Sequence, residues 1–135
     1  MKRYMLDPNT VSHLLREYPV VAKRIVVVPM ASLCISAITE GELLFGLAKR
    51  PVAKRLHVAV REFLRRVDVL ALGPSCSTAG HYGIVRADME KRGRILLASL
   101  DLLIATHALS VDAVLVTNDR AFSQLADLKV EDWTV

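Results

Sequence analysis

The chain has 135 residues, of which 53% are hydrophobic, and 18 Lys and Arg against 14 Asp and Glu give it a formal net charge of +4. A chain of this length is expected to form one domain, residues 1–135, with a core that needs no disulfides or metals. No apolar run approaches the roughly 18 residues of a membrane span, and the first residues contain no signal peptide, so we expect a soluble cytoplasmic protein.

The first half of the chain predicts two strands, each followed by helices. Arg3 to Leu6 is a short apolar run that ends at Asp7, and Val11, Leu14 and Leu15 then follow at helical spacing. The pattern next predicts a helix at 19–28 and a strand at 33–38. Two further helices are predicted at 39–50 and 52–67. The first strand therefore ends in an acid, and a helix begins directly after it.

The second half continues the alternation of strands and helices. It predicts a strand at 68–72, a turn at Gly73-Pro74-Ser75, a helix at 77–91 that ends near Gly93, a lead-in at 95–100 and an apolar helix at 102–109. A strand at 113–116, a short helix at 120–126 and an edge strand at 129–133 complete the chain. This alternation indicates an α/β fold with a central parallel sheet of about five strands and helices on both faces.

Composition adds three further expectations. Cys34 and Cys76 lie far apart, so they indicate neither a disulfide framework nor a zinc site, and both are expected to be small apolar residues. The high hydrophobic fraction predicts an exposed apolar patch that a dimer mate or another protein covers. The positive charge favours an acidic partner, most commonly nucleic acid, although many basic domains bind none.

Four acids lie where strands end or helices begin, namely Asp7, Glu42, Asp101 and Asp119. Parallel strands bring all these junctions to one edge of the sheet, which is where ligands and catalytic groups of α/β proteins collect. Four carboxylates on one rim repel one another unless a cation neutralises them, and oxygen ligands suit Mg²⁺ or Mn²⁺. Such a site is typical of metal-assisted phosphodiester hydrolysis.

Each acid also has an ordinary structural explanation. Asp7 followed by Pro8 is a common helix start, and Asp119 can be the N-cap of the helix after it. Thr39 and Glu42 have the spacing of a capping box, and Asp101 in a first helical turn is favoured by the helix dipole. Spacing alone leaves both interpretations open.

Five segments carry a resemblance to a known family: MLDPNT at 5–10, ISAITEGELLFGLAKR at 35–50, LDLLIATHAL at 100–109, LVTND at 115–119 and VEDW at 130–133. Together they resemble VapC-type toxins, the PIN-domain ribonucleases of bacterial type II toxin–antitoxin pairs, along nearly the whole chain. The resemblance implies a single PIN-like domain, a Mg²⁺- or Mn²⁺-dependent endoribonuclease activity and neutralisation by a cognate VapB-like antitoxin.

The same resemblance assigns roles to individual residues. It implies that the four acids are the catalytic and metal-binding residues, and that Asn9, Thr117 and Asn118 position the metal site or the substrate. The family's first motif is commonly Asp-Thr-Asn, whereas Pro8 stands in its middle here and removes a hydroxyl and a backbone N–H. The segment ILLAS before Asp101 is also bulkier than the Gly-containing segment often found there. Either departure weakens the site, yet all four acids are present and we expect it to be competent.

An RNA substrate needs cationic residues near the acids. Lys54, Arg61 and Arg65 lie at helical spacing along one side of the helix predicted at 52–67 and are candidates to hold the RNA backbone. Further candidates are Arg50 and either Arg92 or Arg94. Such a basic stripe is also typical of a solvated helix face. By resemblance the substrate is a folded RNA such as tRNA, hydrolysed by metal-activated water. None of the four histidines has a metal-ligand spacing, and His107 is expected in the core or an interface.

Partners and alternatives follow from the same residues. We expect a homodimer whose groove takes an antitoxin segment, with a basic side chain inserted among the acids, and contact with DNA only through the antitoxin. The alternative is a PIN-like binding module for protein or RNA that has lost catalysis through Pro8. A receiver or aspartyl phosphatase domain needs paired acids after the first strand, which Asp7-Pro8-Asn9 does not supply.

Overall fold

The computed structural model describes residues 2–72, 77–93 and 99–135. In these residues five parallel strands form one sheet in the order β3-β2-β1-β4-β5. The strands are β1 (Tyr4–Leu6), β2 (Leu33–Ser36), β3 (Asp68–Leu70), β4 (Val114–Val116) and β5 (Val130–Glu131). The predicted parallel sheet is therefore confirmed, and the last predicted strand lies at its edge.

Six α-helices connect these strands in the described part of the chain: α1 (Pro8–Leu15), α2 (Pro19–Val27), α3 (Ala37–Lys49), α4 (Lys54–Arg66), α5 (Ser77–Lys91) and α6 (Ser99–Ser110). Within the same described residues, two short 3₁₀ helices occur: one at Met30–Ser32, which the sequence did not predict, and one at Arg120–Gln124, within the predicted short helix at 120–126. Gly93 has a φ of 65°, as expected of a glycine after a helix end. The predicted turn at 73–75 and positions 95–98 of the lead-in lie outside the described residues.

The strand order of the sheet reverses at β1. The chain adds β2 and β3 on one side of β1, and then adds β4 and β5 on the other. Strands β1 and β4 are therefore neighbours, with Leu6 paired to Val116 at their carboxyl ends. In open α/β sheets a crevice forms at such a switch point, where ligands bind. Asp7 follows one of these strands and Asp119 lies three residues beyond the other.

Alternating residues of the strands supply two separate cores. Met5 and Leu115 pack with residues of α5 and α6 on one face, whereas Leu6 and Val116 pack with residues of α1 to α4 on the other. This alternation follows from the two-residue period of a strand. Helices therefore cover both faces, as predicted, and the buried His107 belongs to the interior of the fold.

The junction between β2 and α3 corrects the sequence analysis. The strand ends at Ser36, whose Oγ caps α3 by accepting a hydrogen bond of 3.1 Å from the Ile38 backbone N–H. Thr39 is buried within the helix and Glu42 lies in its second turn, so the predicted capping box is wrong. The apolar residues at 37 and 38 suited a strand or a helix equally, and the hydroxyl of Ser36 decided the boundary. With the cap provided elsewhere, the Glu42 carboxylate is free for another role.

Part of the hydrophobic surplus lies on the surface, as predicted. The most exposed large apolar side chains among the described residues are Val26, Val27, Val52, Val58, Ile84 and Val135, with Val52 being 88% exposed. Cys34 is buried in β2, as expected of a small apolar residue, while Cys76 lies outside the described residues. None of the helices in the described ranges combines the length and the apolar character that crossing a membrane requires.

Candidate active site

All four predicted acids line one cavity at the switch point of the sheet. The cavity has a volume of about 430 Å³, and we call it the acidic cavity. Its lining residues are Asp7, Pro8, Asn9, Glu42, Leu100, Asp101, Ile104, Asp119 and Phe122. The acids come from the end of β1, from α3, from the first turn of α6 and from the loop after β4. Residues that are up to 112 positions apart in sequence thus share one site.

Asp7 is the most buried of the four acids, with 3% of its surface exposed. Its Oδ1 accepts a hydrogen bond of 2.8 Å from the Thr10 backbone N–H, and its Oδ2 accepts one of 2.5 Å from Thr117 Oγ1. Burial raises the pKa of Asp7, and the two hydrogen bonds oppose that rise. The helix-cap interpretation is therefore correct for Asp7, and this cap holds the carboxylate rigidly at the wall of the cavity.

Thr117 connects Asp7 to Asp119. While its hydroxyl donates to Asp7, the same oxygen accepts a hydrogen bond of 3.1 Å from the Asp119 backbone N–H. Thr117 is itself buried, and its backbone N–H donates to Glu131 O at 2.9 Å. Asn118 is exposed and lines a shallow cavity beyond Asp119, whereas Asn9 lines the acidic cavity.

The carboxylates influence one another across the cavity. Burial raises the pKa of Asp101, and the negative charges of Asp119, Asp7 and Glu42 raise it further. Asp119 is exposed and caps the 3₁₀ helix after it, because its Oδ1 accepts from the Ala121 backbone N–H at 2.9 Å. Like charges gathered in this way are unfavourable without a counter-charge.

The four carboxylates of the acidic cavity are oxygen ligands that suit a hard divalent cation. Among the residues that the structure describes, none of the four acids forms an ion pair with a Lys, Arg or His. Carboxylate oxygens are the ligands that Mg²⁺ and Mn²⁺ prefer. Within the described ranges, no three His, Cys, Asp or Glu side chains converge as a preformed metal centre would. The acids instead surround the cavity, as mutual repulsion requires of unneutralised carboxylates.

The predicted basic residues are dispersed. Arg50 lines a second cavity that adjoins the acidic one, whereas Lys54 and Arg61 are exposed on α4 and line neither of these two cavities. Arg65 lies 3.4 Å from Glu62 in an ion pair on the same helix. Arg92 pairs with Asp88 at 3.1 Å, and Arg94 lies outside the described residues. The sequence analysis missed Arg16 and Arg55, which line the second cavity with Arg50.

Replacing Thr117 by valine is expected to destabilise the fold by about 1–3 kcal/mol, because a buried carboxylate loses a hydrogen bond. The pKa of Asp7 should also rise, since that hydrogen bond now lowers it. Urea denaturation measures the first effect and NMR titration of the Asp7 carboxyl measures the second. Thr117→Ser keeps the hydroxyl and is the control. Equal stability of the valine and serine variants would contradict this role of Thr117.

Comparison with known proteins adds independent findings. The PIN domain family matches residues 4–128 of the chain. Ribonuclease VapC2 of Haemophilus influenzae is 32% identical over 134 residues, which cover 98% of this chain and 99% of that protein. The tRNA(fMet)-specific endonuclease VapC of Shigella flexneri is 31% identical over 135 residues, covering 99% and 100%. The solved structure of DNA-bound VapBC from Salmonella typhimurium is similar with a TM-score of 0.88 and 32% identity, covering 98% of this chain and 99% of that chain.

Proposed function

The chain belongs to the PIN domain family and, within it, to the VapC ribonucleases, and from this premise we propose that the acidic cavity is the active site of a metal-dependent endoribonuclease. The supporting observation is that four carboxylates from separate elements line one cavity at the switch point of the sheet. We further propose that residues 1–135 form one PIN domain that acts in the cytoplasm as the toxin of a type II toxin–antitoxin pair.

The proposed metal ligands are the four acids Asp7, Glu42, Asp101 and Asp119, and the proposed metal is Mg²⁺ or Mn²⁺. When bound, the cation lowers the pKa of water and stabilises charge that develops on the phosphate. Asp7 supplies a carboxylate whose direction is fixed by Thr10 and Thr117. Hydrolysis of this kind needs no covalent nucleophile from the protein.

Three further residues are proposed to position the site or the RNA. Thr117 orients Asp7 through its hydroxyl and Asp119 through the backbone N–H of that residue. Asn9 has an exposed amide at the rim of the acidic cavity, where its N–H groups can donate to phosphate oxygens. Asn118 is exposed next to Asp119 and is proposed to contact the substrate.

Pro8 does not require the alternative function of a silent binding module. It occupies the first position of α1, where a backbone N–H has no partner within the helix in any case. The Asp7 cap on Thr10 N–H is intact beside it. The substitution removes a hydroxyl from the cavity wall but leaves all four carboxylates there.

The substrate and partners of relatives suggest those of this chain. The Shigella flexneri relative is named a tRNA(fMet)-specific endonuclease, so we propose a folded RNA such as tRNA as the substrate class. The Salmonella typhimurium structure is a DNA-bound VapBC, so we propose a VapB-like antitoxin as partner and DNA contact only through it. An antitoxin arginine or lysine among the acids would compete with the metal. Exposed apolar side chains on α2 and α4 are proposed to be covered in a homodimer or by the antitoxin.

The test is to incubate the purified chain with total cellular RNA, with and without Mn²⁺ or Mg²⁺, and to map new RNA ends by sequencing. We expect discrete ends that require the metal, and we expect Asp7→Asn to abolish them, because a neutral amide is a poor ligand for a hard cation. Circular dichroism verifies that the variant is folded. Unchanged cleavage by Asp7→Asn, or no cleavage by the folded wild-type chain with either metal, would refute the proposal.

A further inference from the structure

A second cavity of about 430 Å³ lies between α1, α3 and α4. It shares Pro8, Asn9 and Glu42 with the acidic cavity, so the two form one continuous depression. Its charged rim consists of Arg16, Arg50 and Arg55, after which we call it the arginine groove. Glu42 is the acidic residue at the boundary between the two cavities.

The three arginines reach the groove from three different helix ends. Arg16 and Arg50 are the residues that end α1 and α3, and Arg55 lies in the first turn of α4. None of them forms an ion pair with a residue that the structure describes. Six other arginines in the described ranges do form ion pairs with a carboxylate, namely Arg3, Arg24, Arg65, Arg66, Arg86 and Arg92, whereas Arg61 and Arg120 form none but line neither cavity. Three arginines without ion pairs around one groove outnumber Glu42, its single carboxylate among the described residues, and create a positive field that attracts an anion.

The groove combines this charge with apolar walls. Leu15, Leu43 and Leu56 line it between the arginines. Guanidinium groups form paired hydrogen bonds with phosphate, and a positively charged groove that follows the backbone is typical of proteins that bind single-stranded nucleic acid. The groove therefore offers charged groups for the sugar-phosphate backbone and apolar surface for bases.

We propose that the arginine groove binds the RNA strand on one side of the scissile phosphate. The strand would leave the acidic cavity across Pro8 and Asn9, and its next phosphates would contact Arg16, Arg50 and Arg55. This inference rests on the proposed ribonuclease function. RNA is favoured over an acidic protein segment because the groove is continuous with the cavity where the phosphodiester bond is cut, and the flanking nucleotides of any substrate must occupy adjacent space.

The experiment separates RNA binding from RNA cleavage. Binding of a fluorescent single-stranded RNA is measured by anisotropy at several salt concentrations, in an Asp119→Asn background that slows cleavage. We expect Arg16→Gln, Arg50→Gln and Arg55→Gln each to weaken binding about tenfold, as the loss of a charged hydrogen bond does. Each should also reduce the slope of log K against log salt by about 0.7, as expected for one fewer phosphate contact on a single strand.

The matched control is Arg66→Gln. It removes the same charge from the same helix as Arg55, but Arg66 pairs with Glu62 at 2.9 Å and does not line the groove. Groove variants that bind RNA as well as the control does would overturn the proposal. So would a loss of RNA affinity in Arg61→Gln alone, which would assign binding to the basic stripe, or a loss only of inhibition by the antitoxin, which would assign the groove to a protein.

Failure of the groove and failure of the ribonuclease give different results. If wild-type chain cleaves RNA and the groove variants bind and cleave it normally, the ribonuclease stands and the groove proposal fails. If wild-type chain cleaves no RNA but the groove variants still lose RNA affinity, the groove is an RNA-binding surface and the ribonuclease proposal fails.

Discussion

Replacing Asp101 by asparagine is expected to abolish cleavage and at the same time to stabilise the metal-free protein. Cleavage should fall by at least about 100-fold, because the site loses one of the four carboxylates that would hold the cation at the reacting phosphate. Stability should rise because Asp101 is partly buried and its negative charge is opposed by Asp119, Asp7 and Glu42. Solvent screens part of this repulsion, so the expected gain is about 1 kcal/mol or less.

The stability gain of Asp101→Asn has a defined dependence on pH. The folded chain keeps the Asp101 proton to a higher pH than the unfolded chain does, since its folded pKa is raised above the ordinary 3.8. The folded state therefore binds more protons between the two pKa values, and wild-type stability falls as pH rises through that window. Relative to wild type, Asp101→Asn should gain stability over the same window and keep the gain at neutral pH.

Thermal denaturation of both proteins without divalent cations, from pH 4 to pH 8, measures this difference. Asp127→Asn is the control, because Asp127 is exposed, does not line the acidic cavity and pairs with no described cation. It removes one negative charge without relieving the repulsion between the four acids. An Asp101→Asn protein that is less stable than wild type at neutral pH would show that the carboxylate has a structural partner instead.

The sequence predicted the fold through local signals. The strands are short, the three central ones are apolar, and helices follow them in sequence, so the alternation alone indicated the sheet and its two covered faces. The error at residues 37–39 arose where an apolar run suited both structures and two hydroxyl residues competed for the cap. Ser36 caps α3 because β2 ends at this residue. The end of β2 is set by its pairing with β3, in which Ser36 lies opposite Leu70, and local sequence does not reveal that pairing.

The acids and the arginines of the site differ in how far the sequence reveals them. Parallel strands bring their carboxyl ends to one edge, so an acid at a strand end is placed by topology alone, as Asp7 is. Arg16 and Arg55 have no such signal, because they meet only through the packing of α1, α3 and α4. The helical spacing of Lys54, Arg61 and Arg65 identified an exposed face of α4. The arginine groove instead lies along a different face of that helix, beside Leu56 and Val60.

Addition of Mn²⁺ is expected to raise the thermal stability of the wild-type chain markedly. A ligand present at about 100 times its Kd stabilises the folded state by about 2.7 kcal/mol, which for a chain of this size corresponds to roughly 8–10 °C in Tm. The gain should be much smaller in Asp101→Asn, which lacks one carboxylate, and should remain in Asp127→Asn. The stabilisation by Mn²⁺ should also decrease as the pH is lowered, because Asp7 and Asp101 have raised pKa values and protons then compete with the cation for these carboxylates.

The same titration tests the charge argument without any measurement of RNA cleavage. If the four carboxylates are destabilising only because they lack a cation, then Mn²⁺ and Asp101→Asn both relieve the same repulsion, and their stabilising effects should not add. Differential scanning fluorimetry of the two proteins, with EDTA as the metal-free reference, measures this non-additivity. Fully additive gains, or no gain with Mn²⁺ in the wild-type chain, would place any metal away from Asp101 and contradict the proposed ligand set.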